Sequence, residues 1–495
     1  MNNRKIRLAA CTIAFSTAVA AQAATLTVDE VVPVVAGWDM ASDDSYLGSR
    51  AGCYEGLTKV DFDGQLKPLL ATAWTQSAPN VWEFKIREGV KFQDGTALTA
   101  EAAANALTQL LNASIPARAF SKKIIKAVEA VDAGTLRITT VEPSVLLPGQ
   151  LASPATTILA PGAYKDGKIN PVNACTGPFA ITRVDAKQGM TMKRNDAYWG
   201  GKAKLDGAEI KFISDANSRA TQIRTGEADI ARGIPPSALG QLKKLPNVKV
   251  EEVKSPRTLM LLLNNKKKPL DDIRVRQAIQ AAIDTSAIAA AVYEGAATPA
   301  MGPFRTADPW APAGQKPAYD IAKAKRLLAE AGVKPGSLTL NLLGYTSKVE
   351  LKDVAAVVQE MLGQVGIKVE IRMAEYKAIE PDMLSGNFDM AFMSRGYLTD
   401  VPEPIGFVSA DYTCAGSFNI AHYCTPEMDA AIGKISGLSD PADRFKAYAA
   451  VGKKVHEEAI NVFLVHESLY DAFSVKVKNY KPHFISYRTL TVDLE

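Results

Sequence analysis

Strand-like and helix-like segments alternate along the whole chain, and this alternation constrains the fold more than any single motif. Residues 82–87 (Trp-Glu-Phe-Lys-Ile-Arg) alternate between apolar and polar side chains, as half-buried strands do. Residues 99–111 are rich in alanine and leucine, which predicts a helix with Thr99 as its N-cap. Further strands are predicted at 25–35, 207–213, 338–343 and 369–373, and further helices at 217–225, 269–292, 320–331, 349–365 and 441–462. Because no repeat or low-complexity tract interrupts it, this pattern predicts a mixed α/β protein.

The size of the chain predicts more than one lobe. The sequence has 495 residues, and a single hydrophobic core stops growing at about 250–300 residues. Its 47% hydrophobic and 22% charged residues are those of an ordinary globular protein. We therefore expect at least two lobes, each with its own core.

The N-terminus carries the three parts of a secretory signal peptide. Arg4, Lys5 and Arg7 form a basic region, an apolar stretch follows over 8–21, and small residues close the segment at 20–24. The apolar stretch is shorter than the ~20 residues that cross a bilayer. We therefore predict that residues 1–23 are a cleaved signal, with a cut after Ala24 as the alternative, and that the mature protein is periplasmic.

A motif that resembles a lipoprotein cleavage site suggests a different interpretation of the same segment. Leu8-Ala9-Ala10-Cys11 has the composition of such a site, but it follows the basic cluster directly, with no apolar region before it. We therefore expect Cys11 to be discarded with the signal and the mature protein to diffuse freely.

The charge balance argues against a nucleic-acid partner. Removal of residues 1–23 takes away three basic residues and no acidic one, which leaves 54 basic against 53 acidic residues. A chain so close to neutrality has no bulk electrostatic attraction for a polyanion.

Four cysteines remain after the predicted cleavage: Cys53, Cys175, Cys414 and Cys424. An even number in an exported protein indicates disulfide bonds. Cys414 and Cys424 bracket a short polar segment and are predicted to form a local bond. Cys53 with Cys175 is then a long-range pair that the sequence alone does not establish. A zinc site is the weaker alternative, since no C-x-x-C spacing occurs.

No catalytic constellation stands out in the sequence. The four histidines, His422, His456, His466 and His483, do not form H-E-x-x-H, and no G-x-S-x-G, P-loop or dinucleotide fingerprint is present. We therefore predict a protein that is not an enzyme and has no cofactor, while an envelope peptide hydrolase and a chaperone-like protein remain alternative classes.

Several segments in a fixed order resemble one family. They are Tyr54-Glu55-Gly56-Leu57, the run from Trp82 to Gly95, Thr176-Gly177-Pro178-Phe179, the run from Arg194 to Gly200, Thr225-Gly226-Glu227-Ala228-Asp229 and the run from Asp272 to Ile279. From about residue 25 to the C-terminus, the chain resembles the bacterial extracellular solute-binding proteins of family 5, the peptide- and nickel-type binding proteins of ABC importers.

The resemblance implies a two-lobed α/β periplasmic binding protein of the type II-like, cluster C kind, with an extra inserted domain. It implies that lobe I consists of 24–52, 171–258 and 475–495, that the inserted domain is 53–170, and that lobe II is 259–474. The lobes are expected to close over the solute by a rigid-body motion.

The resemblance also implies a function. A monomeric receptor would capture a dipeptide or oligopeptide and deliver it to an inner-membrane ABC permease. The alternatives are a receptor for a metal chelate, with nickel or another metal held by histidine, an opine or another small chelator, or a receptor for glutathione.

The family's ligand-facing loop matches residues 396–400 here. In the peptide binders an aromatic residue stands three positions before an aspartate, and Tyr397 and Asp400 occupy those positions. The resemblance implies that Asp400 pairs with the peptide's ammonium group, while the strand edge around Leu398 bonds the peptide backbone. The alternative is that Asp400 is a turn residue before Pro402.

The sequence departs from the peptide pattern beside this loop. Residues 403–407 read Glu-Pro-Ile-Gly-Phe instead of the usual Asp-Pro-Asp-Asn-Phe, and Arg395 matches an arginine of the nickel-binding relatives. An arginine there would recognise a carboxylate, which keeps an anionic chelate open.

Five further residues are weaker candidates. Arg118, Tyr46, Trp38 and Tyr345 are candidate ligand contacts, each with a surface, core or loop role as the alternative. His422, between Cys414 and Cys424, is a candidate metal ligand or an exposed loop histidine.

Overall fold

The computed structural model describes residues 24–115, 117–118 and 120–495. The predicted signal peptide, with Cys11 and the predicted cleavage site, lies outside the described residues. Within those ranges, no helix has the length and apolar character needed to cross a bilayer.

Nineteen strands are formed by the described residues. They are β1 (Thr25–Glu30), β2 (Thr58–Val60), β3 (Leu66–Pro68), β4 (Ala71–Ala78), β5 (Val81–Ile86), β6 (Ile125–Asp132), β7 (Thr135–Thr140), β8 (Tyr164–Lys165), β9 (Lys168–Ile169), β10 (Phe179–Asp185), β11 (Gly189–Arg194), β12 (Gly207–Phe212), β13 (Ile230–Ala231), β14 (Val248–Leu263), β15 (Ala297–Pro299), β16 (Leu338–Tyr345), β17 (Ile367–Ala374), β18 (Met390–Gly396) and β19 (Asn461–Ser474).

Thirteen α-helices accompany them in the same part of the chain. They are α1 (Asp44–Arg50), α2 (Ala100–Leu111), α3 (Leu147–Gln150), α4 (Ala216–Thr225), α5 (Pro236–Leu242), α6 (Ile273–Ala282), α7 (Thr285–Ala291), α8 (Ile321–Glu330), α9 (Leu351–Gly363), α10 (Tyr376–Ser385), α11 (Ile405–Tyr412), α12 (Pro426–Gly433) and α13 (Pro441–Glu457).

One sheet of eleven strands runs through both lobes. Its order is β10-β11-β12-β1-β13-β19-β14-β18-β16-β17, with β15 pairing to β19 beside this path. The strands β10 to β13 belong to one lobe and β16 to β18 to the other, while the two long strands β14 and β19 cross between them. The predicted two-lobed α/β architecture is confirmed.

The two crossing strands are irregular at the same point. β14 pairs with β19 from Val253 opposite Leu469 and again from Arg257 opposite Glu467, so three residues of β14 oppose one of β19. This bulge contains Pro256, which has no backbone N–H to donate to a ladder. The bulge lies on the two long strands that cross between the lobes, and the domain boundaries at 258/259 and 474/475 stay predictions.

The segment predicted as an inserted domain contains an antiparallel sheet of its own, with the strand order β4-β5-β7-β6. Helix α2 packs against β6 and β7, and Thr99 caps it by accepting a hydrogen bond from the Ala102 N–H. Most buried apolar side chains of this segment share one hydrophobic cluster with lobe I, whereas Leu146 belongs to the separate cluster of lobe II. The inserted segment therefore packs on lobe I rather than on an independent core.

Two of the predicted helices end earlier than the sequence pattern suggests. The region 269–292 contains two helices, because the Asp284 carboxylate accepts hydrogen bonds from the N–H groups of Ser286 and Ala287 and starts a new helix. The helix predicted over 441–462 ends at Glu457, because the apolar run from Val462 onward is buried as the central strand β19.

Asp29 is a buried carboxyl group in the middle of the large sheet. Its strand β1 lies between β12 and β13, its side chain is inaccessible to solvent, and neither carboxyl oxygen has a hydrogen-bond partner. Burial raises the pKa of Asp29 from 3.8 to about 6, although Lys211 and Arg219 oppose the shift and Glu227 adds to it. The folded protein thus holds a proton on Asp29 that the unfolded chain releases at lower pH.

We expect Asp29 to make stability fall as pH rises through about 6. The stabilisation that comes from protonated Asp29 is complete below pH 3.8. It is lost above about pH 6, because the folded state must then bury a charged carboxylate. Relative to Asp29→Asn, the wild type should lose about 2.5 kcal/mol of unfolding free energy between about pH 4 and about pH 7.5. Urea denaturation at a series of pH values measures it, and parallel pH profiles for the two proteins would contradict it.

Candidate functional site

The predicted ligand-facing loop emerges where the two lobes meet. β18 pairs with β14, Gly396 lies opposite Arg257, and the Tyr397 N–H donates to the Pro256 carbonyl at 2.9 Å. Asp400 ends this loop with φ of +71°, a left-handed conformation that aspartate tolerates better than most residues. The loop is therefore anchored to the bulge between the lobes, and Asp400 points across the cleft.

The carboxylate of Asp400 is held by three side chains from outside lobe II. The Tyr46 hydroxyl donates to Oδ1 at 2.6 Å, the Arg118 Nε donates to Oδ2 at 2.9 Å, and the Ser153 hydroxyl lies 3.4 Å from Oδ1. Tyr46 belongs to helix α1, and Arg118 and Ser153 belong to the inserted segment. The structure thus brings together three of the predicted site residues, Asp400, Tyr46 and Arg118, across the interface between the lobes.

The charges around Asp400 favour this arrangement. The Asp400 carboxylate raises the pKa of Arg118 above its ordinary value, against the effect of burial. Burial, and then the Asp400 charge, hold the pKa of Tyr46 well above 10, so its hydroxyl remains a donor at neutral pH. The Arg118 side chain is still 40% exposed, so solvent reaches this ion pair from the Arg118 side.

A cavity of about 230 Å³ lies between the lobes beside this cluster. Its wall includes Asp43, Tyr46 and Arg50 from lobe I, Ser255, Pro256 and Arg257 from the bulge, and Gly396, Leu398 and Thr399 from the predicted loop. Pockets for drug-sized ligands measure about 300–1,000 Å³. A cavity of this size suits a small solute in the closed arrangement of the lobes.

Tyr397 is in the core and does not line this cavity. Its side chain is buried, its hydroxyl donates to Asp308 Oδ2 at 2.5 Å, and its ring packs edge-on against Phe304 with 5.4 Å between centroids. Leu398, the next residue, does reach the cavity wall. In this conformation the aromatic ring supports the loop from behind.

Arg395 is fully engaged by its neighbours. Its Nε and Nη2 donate to the two carboxylate oxygens of Asp411 at 3.1 and 2.6 Å, and its guanidinium lies over the Phe418 ring, 4.2 Å from the centroid. Burial raises the pKa of Asp411, although Arg395 opposes the shift. This paired guanidinium is not placed on the cavity wall.

The two remaining aromatic candidates are also core residues. Trp38 packs near Tyr54, with 6.1 Å between ring centroids, and Tyr345 packs edge-on against Tyr376 at 5.7 Å. The Tyr345 hydroxyl also accepts a hydrogen bond from the Ser394 N–H at 3.2 Å. Both side chains are buried and lie off the cavity wall.

His422 lies in a different place from the cavity between the lobes. It lines a separate pocket of about 280 Å³ beside the Cys414–Cys424 disulfide, together with Lys266 and Asn419. Within the described ranges, no group of three or more His, Cys, Asp or Glu side chains is arranged to hold a metal ion. The structure therefore does not bring His422 to the candidate solute site.

Four charged or aromatic residues of the cavity wall were missed by the sequence analysis: Asp43, Arg50, Arg257 and Tyr487. Adjacent carboxylates such as Asp43-Asp44 are usually solvated or cap a helix, so the sequence alone does not indicate a site there. Asp44 does accept hydrogen bonds from the N–H groups of Val35, Ala36 and Trp38, but Asp43 faces the cavity. For Arg257, the available signal was Pro256, which indicates an interruption of a long strand.

Comparison with known proteins places the chain in a family. The model of the bacterial extracellular solute-binding proteins, family 5, matches residues 65–419. The glutathione-binding protein GsiB of Escherichia coli O157:H7 is 30% identical over 443 residues, covering 85% of this chain and 84% of that protein.

Two solved structures share the fold. NikA from Brucella suis in complex with Fe(III)-EDTA has a TM-score of 0.83 at 26% identity, covering 95% of this chain and 99% of that one. DppA from Helicobacter pylori in complex with the peptide STSA has a TM-score of 0.81 at 24% identity, covering 94% and 96%. With its two lobes and the cavity between them, the chain belongs to the bacterial extracellular solute-binding proteins of family 5.

Proposed function

We propose that this protein captures a small peptide-like solute between its lobes and delivers it to an inner-membrane ABC permease. The observation that carries the proposal is the position of Asp400. Its carboxylate is buried at the interface of the lobes, and each partner that holds it comes from the opposite side of the cleft. A solute ammonium group would take the place of Arg118, and closure of the lobes would then depend on the solute.

The relatives support a solute of this chemical class. GsiB is named for glutathione, which is a tripeptide derivative, and DppA was solved with the peptide STSA. A cavity of about 230 Å³ favours the shorter of these solutes. Leu398 and Thr399 of the loop lie on the cavity wall, where their backbone groups would bond a peptide backbone.

A second candidate is a receptor for an anionic metal chelate. NikA from Brucella suis holds Fe(III)-EDTA, and the observation that favours such a solute here is the pair of guanidinium groups of Arg50 and Arg257 on the cavity wall. The proposed role of Arg395 in chelate binding would require it to leave Asp411.

We further propose where and how the protein works. Residues 1–23 would direct export and be removed, and the mature chain would act in the periplasm as a freely diffusing monomer without catalytic activity. The basic, apolar and small-residue regions of the N-terminus support this, as does the extracellular character of the family.

A thermal-shift panel on the dialysed protein tests the proposed function. The panel contains dipeptides, tripeptides, glutathione, an opine, nickel–histidine and Fe(III)-EDTA. We expect peptides or glutathione to raise Tm, because a ligand present at 100 times its Kd adds about 2.7 kcal/mol to the stability of the folded state. A rise with chelates alone would replace the peptide proposal by the second candidate, and no rise with any solute would contradict both.

A further inference from the structure

The wall of the cavity between the lobes carries a cationic side chain, Arg257, that has no carboxylate partner among the described residues. Arg257 follows the bulge of β14 and is half-buried on the cavity wall. Its Nη1 donates to the carbonyl and hydroxyl oxygens of Ser394 at 2.9 and 3.1 Å, and within the described ranges no carboxylate forms an ion pair with it. Glu467 is nearby, but Lys348 and the Ser394 hydroxyl bind its carboxylate.

Arg50 stands on the lobe I side of the same cavity. Its Nε donates to Glu30 Oε1 at 2.9 Å, and this carboxylate is shared with Arg232. The Arg232 Nε is 3.8 Å from Asp471, so the network continues to strand β19. Glu30 thus orients Arg50 from behind, and the carboxylates of Glu30 and Asp471 together balance the charges of Arg50 and Arg232.

We propose that Arg257 and Arg50 form a carboxylate subsite, which binds the terminal carboxylate of the solute when the lobes close. A half-buried guanidinium without a counter-charge is costly, and a solute carboxylate would supply both the charge and the acceptor atoms. Because Arg257 follows the bulge of β14 and Arg50 lies on α1, an anion held by both would connect strand β14 to helix α1.

The other arginines at the cleft are already occupied. Arg395 is bound by Asp411, and Arg118 by Asp400. Asp43 also faces the cavity, and its negative charge disfavours a solute that carries only anionic groups at that end. With Asp400 available for a cationic group, the subsite therefore selects for a solute that carries both a carboxylate and a cationic group. The assignment rests on the proposed function and adds the group by which the solute is oriented.

The test compares trialanine with trialanine amide, by isothermal titration calorimetry on the full mature chain. We expect the wild type to bind the free acid about tenfold or more tightly than the amide. Arg257→Gln should reduce this preference to about twofold or less, and Arg50→Lys should reduce it as well, because lysine does not reproduce a bidentate guanidinium contact. Arg372→Gln, an exposed arginine on β17, is the control and should keep the preference.

The two possible failures have different signatures. Equal affinity for acid and amide in the wild type would overturn the subsite while leaving the peptide proposal in place. A preference that survives both in Arg257→Gln and in Arg50→Lys would also overturn it. Failure of the wild type to bind either form would overturn the subsite, and the proposed function falls with it when no other peptide and no glutathione raises Tm. Circular dichroism melts of each variant confirm that the compared proteins are folded.

Discussion

Asp400→Asn is expected to weaken binding of a peptide with a free amino terminus by about 2 kcal/mol or more, which corresponds to roughly 30-fold in Kd. Asparagine keeps the shape of the side chain, and its single carbonyl oxygen can replace only one of the two carboxylate oxygens that accept from Tyr46 and Arg118. It removes the charge that an ammonium group would pair with in a cleft from which water is excluded. The loss should therefore appear for the ammonium form of the solute and not for a peptide whose amino group is acetylated.

The measurement is a pair of titrations, one with a free and one with an N-acetylated tripeptide, on the wild type and on Asp400→Asn. Asp353→Asn is a matched control, since Asp353 is an exposed carboxylate on helix α9 of the same lobe. It should leave both affinities unchanged. If Asp400→Asn weakened the binding of both peptides equally, the carboxylate would affect only the closure of the lobes. The proposal that it pairs with the ammonium group would then be wrong.

Loss of the Cys53–Cys175 disulfide is the second large effect that we expect. The two half-cystines are 122 residues apart in sequence and 5.4 Å apart between Cα atoms. They stand where the chain enters and leaves the inserted segment, so one bond closes nearly all of it into a loop. In the chain-entropy account, a loop of this length contributes about 5 kcal/mol, against about 3 kcal/mol for a ten-residue loop.

The second disulfide supplies the comparison. Cys414 and Cys424 are ten residues apart, with 4.6 Å between Cα atoms. We expect the double variant Cys53→Ala, Cys175→Ala to lose more unfolding free energy than Cys414→Ala, Cys424→Ala, as measured by urea denaturation. Alanine is the suitable replacement at Cys53 and Cys175 because both are fully buried, where a serine hydroxyl would need a partner. Equal losses in the two variants would contradict the loop-length argument.

Local sequence patterns predicted several strands and helices correctly, and the errors in the other predictions have a common cause. The strand predicted over 207–213 and the helix predicted over 320–331 match β12 and α8 to within one residue at each end, because their periodicity and caps are local. The helix predicted over 441–462 was too long, because Val462 lies in the centre of a sheet whose other strands are distant in sequence. Periodicity within a short window does not contain that information.

The residues of the candidate site show this limit of local sequence patterns even more clearly. Arg395 was a candidate because of its neighbours in sequence, yet the structure gives it Asp411 as a partner. Arg118 was a weak candidate, yet it reaches Asp400 across 282 residues of sequence. Arg257 was not identified, because nothing in the sequence around it indicates that its guanidinium faces a cavity between two lobes.

By itself, the sequence determined the family, the mixed α/β class and the segment that carries Asp400, because these depend on residue order and on short periodic patterns. Only the tertiary structure decided which charged groups neutralise one another and which remain available for a solute. The physical reason is that a charge is satisfied by its neighbours in space. At the cleft those neighbours come from lobe I, the inserted segment and lobe II, which meet only after the chain has folded.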